Sequence, residues 1–112
     1  MLVELSQSTA MVGLSSDRQR PSYFAGSYLK YEGYRIIPVN PKAKEILGEK
    51  AYPDVRSIPE SVDIVNVFRR PDECDEIVKQ AIEKKVKTVW FQLRIVNEKA
   101  AQTAEAAGLQ VI

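Results

Sequence analysis

At 112 residues with 45% hydrophobic side chains, the chain suits one small domain with a single core. Its 16 basic and 15 acidic side chains leave a formal charge of +1, so no global field favours nucleic acid. One cysteine, Cys74, excludes an internal disulfide and suits a reducing compartment. No segment approaches the ~18 apolar residues of a membrane span, and Met1–Ser8 lacks the basic start and apolar centre of a signal peptide, so a soluble cytoplasmic protein is expected.

Strand and helix patterns then alternate along the chain without repeats or low-complexity linkers. Thr9–Leu14 reads as a short apolar strand closing on Gly13. Pro21 suits the first turn of a helix running from Ser22 to Glu32, with Phe24, Tyr28 and Leu29 on one face and Gly33 as its stop. Arg35–Val39 is the second strand, ended by the Asn40–Pro41 turn, because a proline disfavours helix at the residue before it. Lys42–Leu47 reads as a helical turn ending at Gly48, and Ala51–Ile58 as irregular with at most a short edge strand. The nearly continuous apolar run Val62–Phe68 fits a strand buried on both faces.

Pro71 to Lys85 is the clearest helix. Asp72, Glu73, Asp75 and Glu76 crowd its start and Lys79, Lys84 and Lys85 its end, matching the macrodipole. Ile77, Val78, Ala81 and Ile82 form its apolar stripe. Lys87–Phe91 is a further strand, in which Trp90 and Phe91 read as core. Asn97 caps a helix through Ala107, whose Ala100, Ala101, Ala104 and Ala107 make a small-residue face; Gly108 ends it and Leu109–Ile112 begins a last strand. Right-handed crossovers turn this order into a parallel sheet of about five strands with helices on both faces, an α/β/α sandwich.

Three strand ends carry donors and cations, as an anionic, phosphate-bearing ligand requires. In the first loop Ser15, Ser16 and Ser22 offer hydroxyls, Arg18 and Arg20 offer guanidinium forks, and the following helix start adds backbone N–H groups. Only Gly13 of a G-x-G-x-x-G fingerprint is present, with Ser15 where the second glycine would stand, which argues against a nicotinamide cofactor. The second loop offers Asn40, Pro41, Lys42 and Lys44. The third offers Phe68, Arg69 and Arg70, and Gln92 ends the next strand. Taken singly, the first loop reads equally well as a solvated basic turn, and for the second and third the ordinary-turn reading comes first; their shared place at the mouth of the sheet is what favours a site. The carboxylates around Cys74 are expected to suppress its thiolate. No histidine is present, which removes His-based acid–base catalysis, Ser–His pairs and His–metal sites, and no Walker motif occurs. No catalytic constellation emerges.

Val12–Gly13–Leu14–Ser15–Ser16, Arg20–Pro21–Ser22, Gly33–Tyr34–Arg35, Ile37–Pro38–Val39–Asn40–Pro41, Leu47–Gly48–Glu49, Val62–Asp63–Ile64–Val65, Phe68–Arg69–Arg70–Pro71 and Val89–Trp90–Phe91–Gln92–Leu93 together resemble the small, stand-alone CoA-binding proteins of bacteria and archaea. The likeness runs through nearly the whole chain in the same order. It implies a Rossmann-like three-layer α/β/α domain, similar to the CoA-binding domain of the succinyl-CoA synthetase alpha subunit. It also implies coenzyme A or an acyl-CoA as ligand, with Ser15, Ser16 and Arg20 at its phosphates, Asn40 to Lys42 or Lys44 by its nucleotide, and Phe68 and Arg69 flanking it; Gly13 is counted with the first loop as a binding candidate. Synthetase chemistry is not implied, because it depends on a phosphorylated histidine that this chain lacks. The chain departs from the family at Arg94, where glycine is usual, and at Ile112, where a Met-Asp-Arg-Cys segment usually follows and the last strand is expected to fray.

The reading that results is non-catalytic binding of a small nucleotide ligand, with no nucleic acid or membrane partner. A protein partner or a second copy is left open. The alternatives are an NAD(P)-binding enzyme or redox sensor, and a regulatory interaction protein whose pocket Arg94 disables.

Overall fold

The computed structural model describes residues 8–15, 17–69, 71–91 and 98–111. Its elements are β1 (Ser8–Val12), α1 (Pro21–Tyr31), β2 (Arg35–Val39), β3 (Glu45–Ile46), β4 (Glu49–Lys50), β5 (Ile64–Val67), a 3-10 turn (Pro71–Glu73), α2 (Cys74–Glu83), β6 (Thr88–Phe91), α3 (Glu98–Ala106) and β7 (Gln110–Val111). The sheet has the order β2-β1-β5-β6-β7, every pair parallel. The chain steps one way from β1 to β2, then the other way through β5, β6 and β7. The switch point therefore lies between β1 and β5, and in open α/β sheets ligands bind outside the carboxyl ends of the strands at such a point.

Alternation along the strands sorts side chains to two faces. Ala10, Val12, Ile37, Val39, Val65, Val67 and Val89 face α2 and α3 and join Val78, Ala81, Ala100 and Ala104 in the larger core. Met11 and Ile36 turn the other way and meet Leu14, Ile46 and the α1 residues Ala25 and Leu29 in a smaller one. The buried Asn66 donates from Nδ2 to Thr9 Oγ1 at 2.7 Å across the β1–β5 pair, which satisfies a polar pair inside the sheet. Each core lies on one face of a sheet flanked by helices, so the architecture is the Rossmann-like three-layer sandwich expected from sequence.

Four expectations change in detail. Lys42–Leu47 is not a helical turn: β3 and β4 form an antiparallel hairpin, with Leu47 at φ 55° and Gly48 at φ 76°. Positive φ at both central residues gives the turn whose twist suits a two-residue hairpin. Leu47 holds this conformation by packing over α1, where a Cβ at Gly26 would lie only 3.1 Å from Leu47 Cδ1 and 2.9 Å from Leu14 Cδ1. Phe24 and Tyr28 share a face, but it is the solvent face, and Leu29 parts from them to pack on the smaller core, because α1 turns Ser22 and Gly26 inward. Trp90 is 39% exposed rather than core; it points to the α1 side, and α1 packs over β2 instead of β6. Ala100 and Ala104 are fully buried in α3, whereas Ala107 lies past its end and is exposed. The expected Asn97 cap and the Ile112 terminus lie outside the described residues.

The Arg35 guanidinium makes two hydrogen bonds to Glu60, at 2.7 and 2.6 Å, tying the start of β2 to the segment before β5. Those bonds hold the Glu60 carboxyl below its ordinary range. What this exposed pair contributes, about 1 kcal/mol at most, is present above the ordinary carboxyl pKa and fades as pH falls through the lowered folded value. Among the described residues no helix is long and apolar enough to cross a membrane.

The fully buried Met11 is the largest side chain where β1 meets the α1 layer. Met11→Ala is expected to lower the unfolding free energy by about 2–5 kcal/mol in urea titration, with the far-ultraviolet circular dichroism of the folded baseline unchanged.

Candidate functional site

β2, β1 and β5 are neighbours in the sheet, so their carboxyl ends deliver three loops to one place. Backbone bonds continue the pairing beyond the strands. The Gly13 N–H donates to Val39 O at 2.9 Å, and the Phe68 N–H donates to Val12 O at 2.8 Å. Gly13 sits at φ +90°, and a Cβ there would stand 2.7 Å from both Phe68 O and Arg69 Cδ. Only glycine accommodates both that dihedral and that approach.

Side chains then bind loop to loop. Asn40 donates from Nδ2 to Leu14 O at 3.1 Å and accepts the Lys42 N–H on Oδ1 at 2.8 Å, an Asx turn that shapes the second loop against the first. Ser22, in the first turn of α1, accepts the Ser15 N–H at 3.0 Å, and Ser15 Oγ accepts the Asp17 N–H at 3.0 Å. Each hydroxyl thereby accepts one hydrogen bond and keeps its own O–H to donate outward. Arg20 is the N-cap of α1; its guanidinium has no acceptor to offer the helix N–H groups, and the side chain lines the adjoining cleft.

These loops enclose a cleft of about 780 Å³ lined by Gly13, Ser15, Arg20, Ser22, Asn40, Pro41, Lys42, Phe68 and Arg69, with Pro21 and Ala25 from α1. Among the described residues the charged groups that line it are Arg20, Lys42 and Arg69, all cationic. Carboxylates stand just outside: Asp17 is 3.9 Å from Arg20 Nε, and Glu73 accepts from Arg69 Nη2 at 2.8 Å. Phe68 is half-buried, packing on the smaller core while it lines the cleft. A second, more apolar cleft of about 260 Å³ opens on the α2 side of the same rim. It shares Gly13, Pro41 and Arg69 and adds Val39, Val55 and Ile77.

Nine of the thirteen residues singled out from sequence therefore line one cleft. Arg18 and Lys44 do not; both are exposed, Arg18 in the turn before α1 and Lys44 leading into β3, where its carbonyl accepts the Ala51 N–H. Ser16 and Gln92 lie outside the described residues, as do Arg70 and Arg94. Sequence reasoning missed Ala25, one turn into α1 below the cleft, and Glu73, the counter-charge on Arg69. The spacing of four between Arg69 and Glu73 was the available signal for that pair.

Cys74 is buried, and that burial, followed by the Asp75 and Glu73 carboxylates, pushes its thiol pKa up. Among the described residues no group of three histidine, cysteine, aspartate or glutamate side chains is placed to hold a metal. The chemistry on offer is anion binding.

Gly13→Ala is expected to cost about 1–3 kcal/mol of stability through the positive φ alone. The clash with the Phe68 carbonyl adds to this, read as a lower midpoint in thermal denaturation.

The model of the CoA binding domain family matches residues 7–112. The uncharacterised Bacillus subtilis protein YneT is 37% identical over 111 residues, covering 99% of this chain and 82% of that protein. The alpha subunit of an ADP-forming acetate–CoA ligase II from Pyrococcus furiosus is 33% identical over 81 residues, covering 71% of this chain but 18% of the subunit. A solved hypothetical protein from Pyrococcus horikoshii OT3 superposes with a TM-score of 0.91 at 41% identity, over 93% of this chain and 73% of that one.

Proposed function

This chain belongs to the CoA binding domain family, and from that premise we propose that it binds coenzyme A or an acyl-CoA at the carboxyl ends of β1, β2 and β5, without acting on it chemically. The observation that carries the reading is a cleft at the switch point lined by three cations and two hydroxyls, with no lining carboxylate among the described residues. CoA brings phosphates, and each feature of the rim suits one. Arg20 offers a planar fork for two phosphate oxygens. Ser15 and Ser22 donate O–H groups from beside it. The start of α1 adds the positive end of its dipole. Arg69 is held ready by Glu73, and a phosphate takes that carboxylate's place.

The adenine is assigned to the neighbourhood of Asn40 and Pro41, where the more apolar second cleft adjoins the first. Phe68 and Arg69 flank the ligand from the opposite loop. The absence of histidine from the sequence supports a binding module over an acyl-transfer enzyme working through a phosphorylated histidine. A lone, buried thiol supports a cytoplasmic setting.

A nicotinamide cofactor fits less well. Ser15 stands at the second glycine of the dinucleotide fingerprint. Asn40 ends β2 where an acidic ribose partner would stand, and both ends of its amide are engaged by Leu14 and Lys42.

Calorimetry with CoA and with NADH separates the two readings. CoA is expected to bind and to raise the melting temperature, by about 2.7 kcal/mol of apparent stability at 100 times its dissociation constant, while NADH does neither. Stabilisation by NADH in place of CoA would overturn the proposal. Arg20→Ala is expected to weaken CoA about 10- to 100-fold, as loss of a charge-assisted hydrogen bond implies. An unchanged affinity would remove the first loop from the site.

A further inference from the structure

The outer face of α1 carries large side chains that the fold does not use. Phe24 is 64% exposed, Tyr28 62% and Tyr31 87%, while Ser22 and Gly26 take the inward positions. Arg20, Phe24, Tyr28 and Glu32 are four apart and so form one ridge, running from the N-cap to the C-cap of the helix. The ridge reads basic, aromatic, aromatic, acidic, and it is complementary to itself when reversed.

Its charges also stand at the wrong ends of their own helix. Arg20 lies at the positive end of the α1 dipole and Glu32 at the negative end, and the first turn holds no acidic residue. An antiparallel neighbour corrects both. It brings Glu32 of a second copy to the N-terminal end and Arg20 of that copy to the C-terminal end.

We propose that this ridge is a self-association face, on which a second copy of the chain packs its own α1 in antiparallel fashion about a two-fold axis level with Gly26. In an isologous contact each pair occurs twice. Arg20 then faces Glu32 of the second copy, Phe24 stacks on its Tyr28, and Pro21 meets its Tyr31. Within one chain the Tyr28 hydroxyl already donates to Glu32 Oε1 at 2.9 Å, which orients the carboxylate and leaves Oε2 for the facing arginine. One helix face per copy is smaller than the ~800 Å² per partner of a standard interface, so the association is weak, in the micromolar range. Arg20 also lines the ligand cleft, so the aromatic pair supplies the contact that does not depend on it.

Sedimentation velocity of the full chain without ligand, from micromolar to millimolar concentration, tests the proposal independently of CoA binding. A concentration-dependent dimer is expected. Phe24→Glu is expected to abolish it at unchanged circular dichroism, while Trp90→Ala, at the other large exposed aromatic, leaves it intact. Glu32→Arg is expected to weaken the dimer about tenfold by setting arginine against arginine, and adding Arg20→Glu in the same chain restores it. A monomer at every concentration, a dimer that survives Phe24→Glu, or one lost only with Trp90→Ala would each overturn the assignment.

Discussion

The structure depends on β1 being paired on both sides and laced past its end. All five residues of β1 are buried, with β2 on one edge and β5 on the other. The ladder does not stop where the strands do. Gly13 still donates to the β2 side and Val12 still accepts from the β5 side, so three loops leave the sheet already tied together. Gly13 permits this, since any side chain there would collide with the Phe68 carbonyl. The constraint that closes the sheet's rim and the constraint that shapes the cleft are one backbone position.

Polar side chains at this rim hold the site together and leave capacity over for an anion. Asn40 uses its amide to bind Leu14 and Lys42, which makes it a brace for the cleft wall. Ser15 and Ser22 accept backbone N–H groups, which leaves each hydroxyl its own proton to donate. Arg69 keeps a carboxylate partner at an exposed surface, where such a pair contributes about 0–1 kcal/mol. In the proposed site, exchanging Glu73 for a phosphate would therefore cost little.

The two faces of the sheet are unequal, and this asymmetry places the unused surface. α2 and α3 pack together over one face and bury alanines and branched side chains in a continuous core. The other face has α1 and the β3–β4 hairpin over it, and the smaller cluster there ends before β6. Gly26 lets the hairpin lie close, which leaves the aromatic side chains of α1 pointing to solvent. Trp90, on β6, is partly exposed because α1 packs over β2 instead.

The order of elements and most of the rim were legible in the sequence, because they follow from short-range chemistry. Apolar runs rich in branched residues specify the strands. Pro21, Gly33, Pro41 and the charge gradient from Asp72 to Lys85 punctuate them, and a mixed α/β order then leads to a parallel sheet whose carboxyl ends hold Ser15, Arg20, Asn40 and Arg69. What the sequence could not show is anything that requires knowing a neighbour in space. Lys42–Leu47 has a spacing of apolar residues that fits a helix, and only packing against Leu14 and Gly26 makes it a hairpin with Leu47 at positive φ. Arg18 and Arg20 are two residues apart and chemically alike, yet the start of α1 sends one toward the cleft and the other away. Local propensity decides which element forms; the tertiary structure decides which face of it meets the core, the ligand or the solvent, because burial depends on partners brought from elsewhere in the chain.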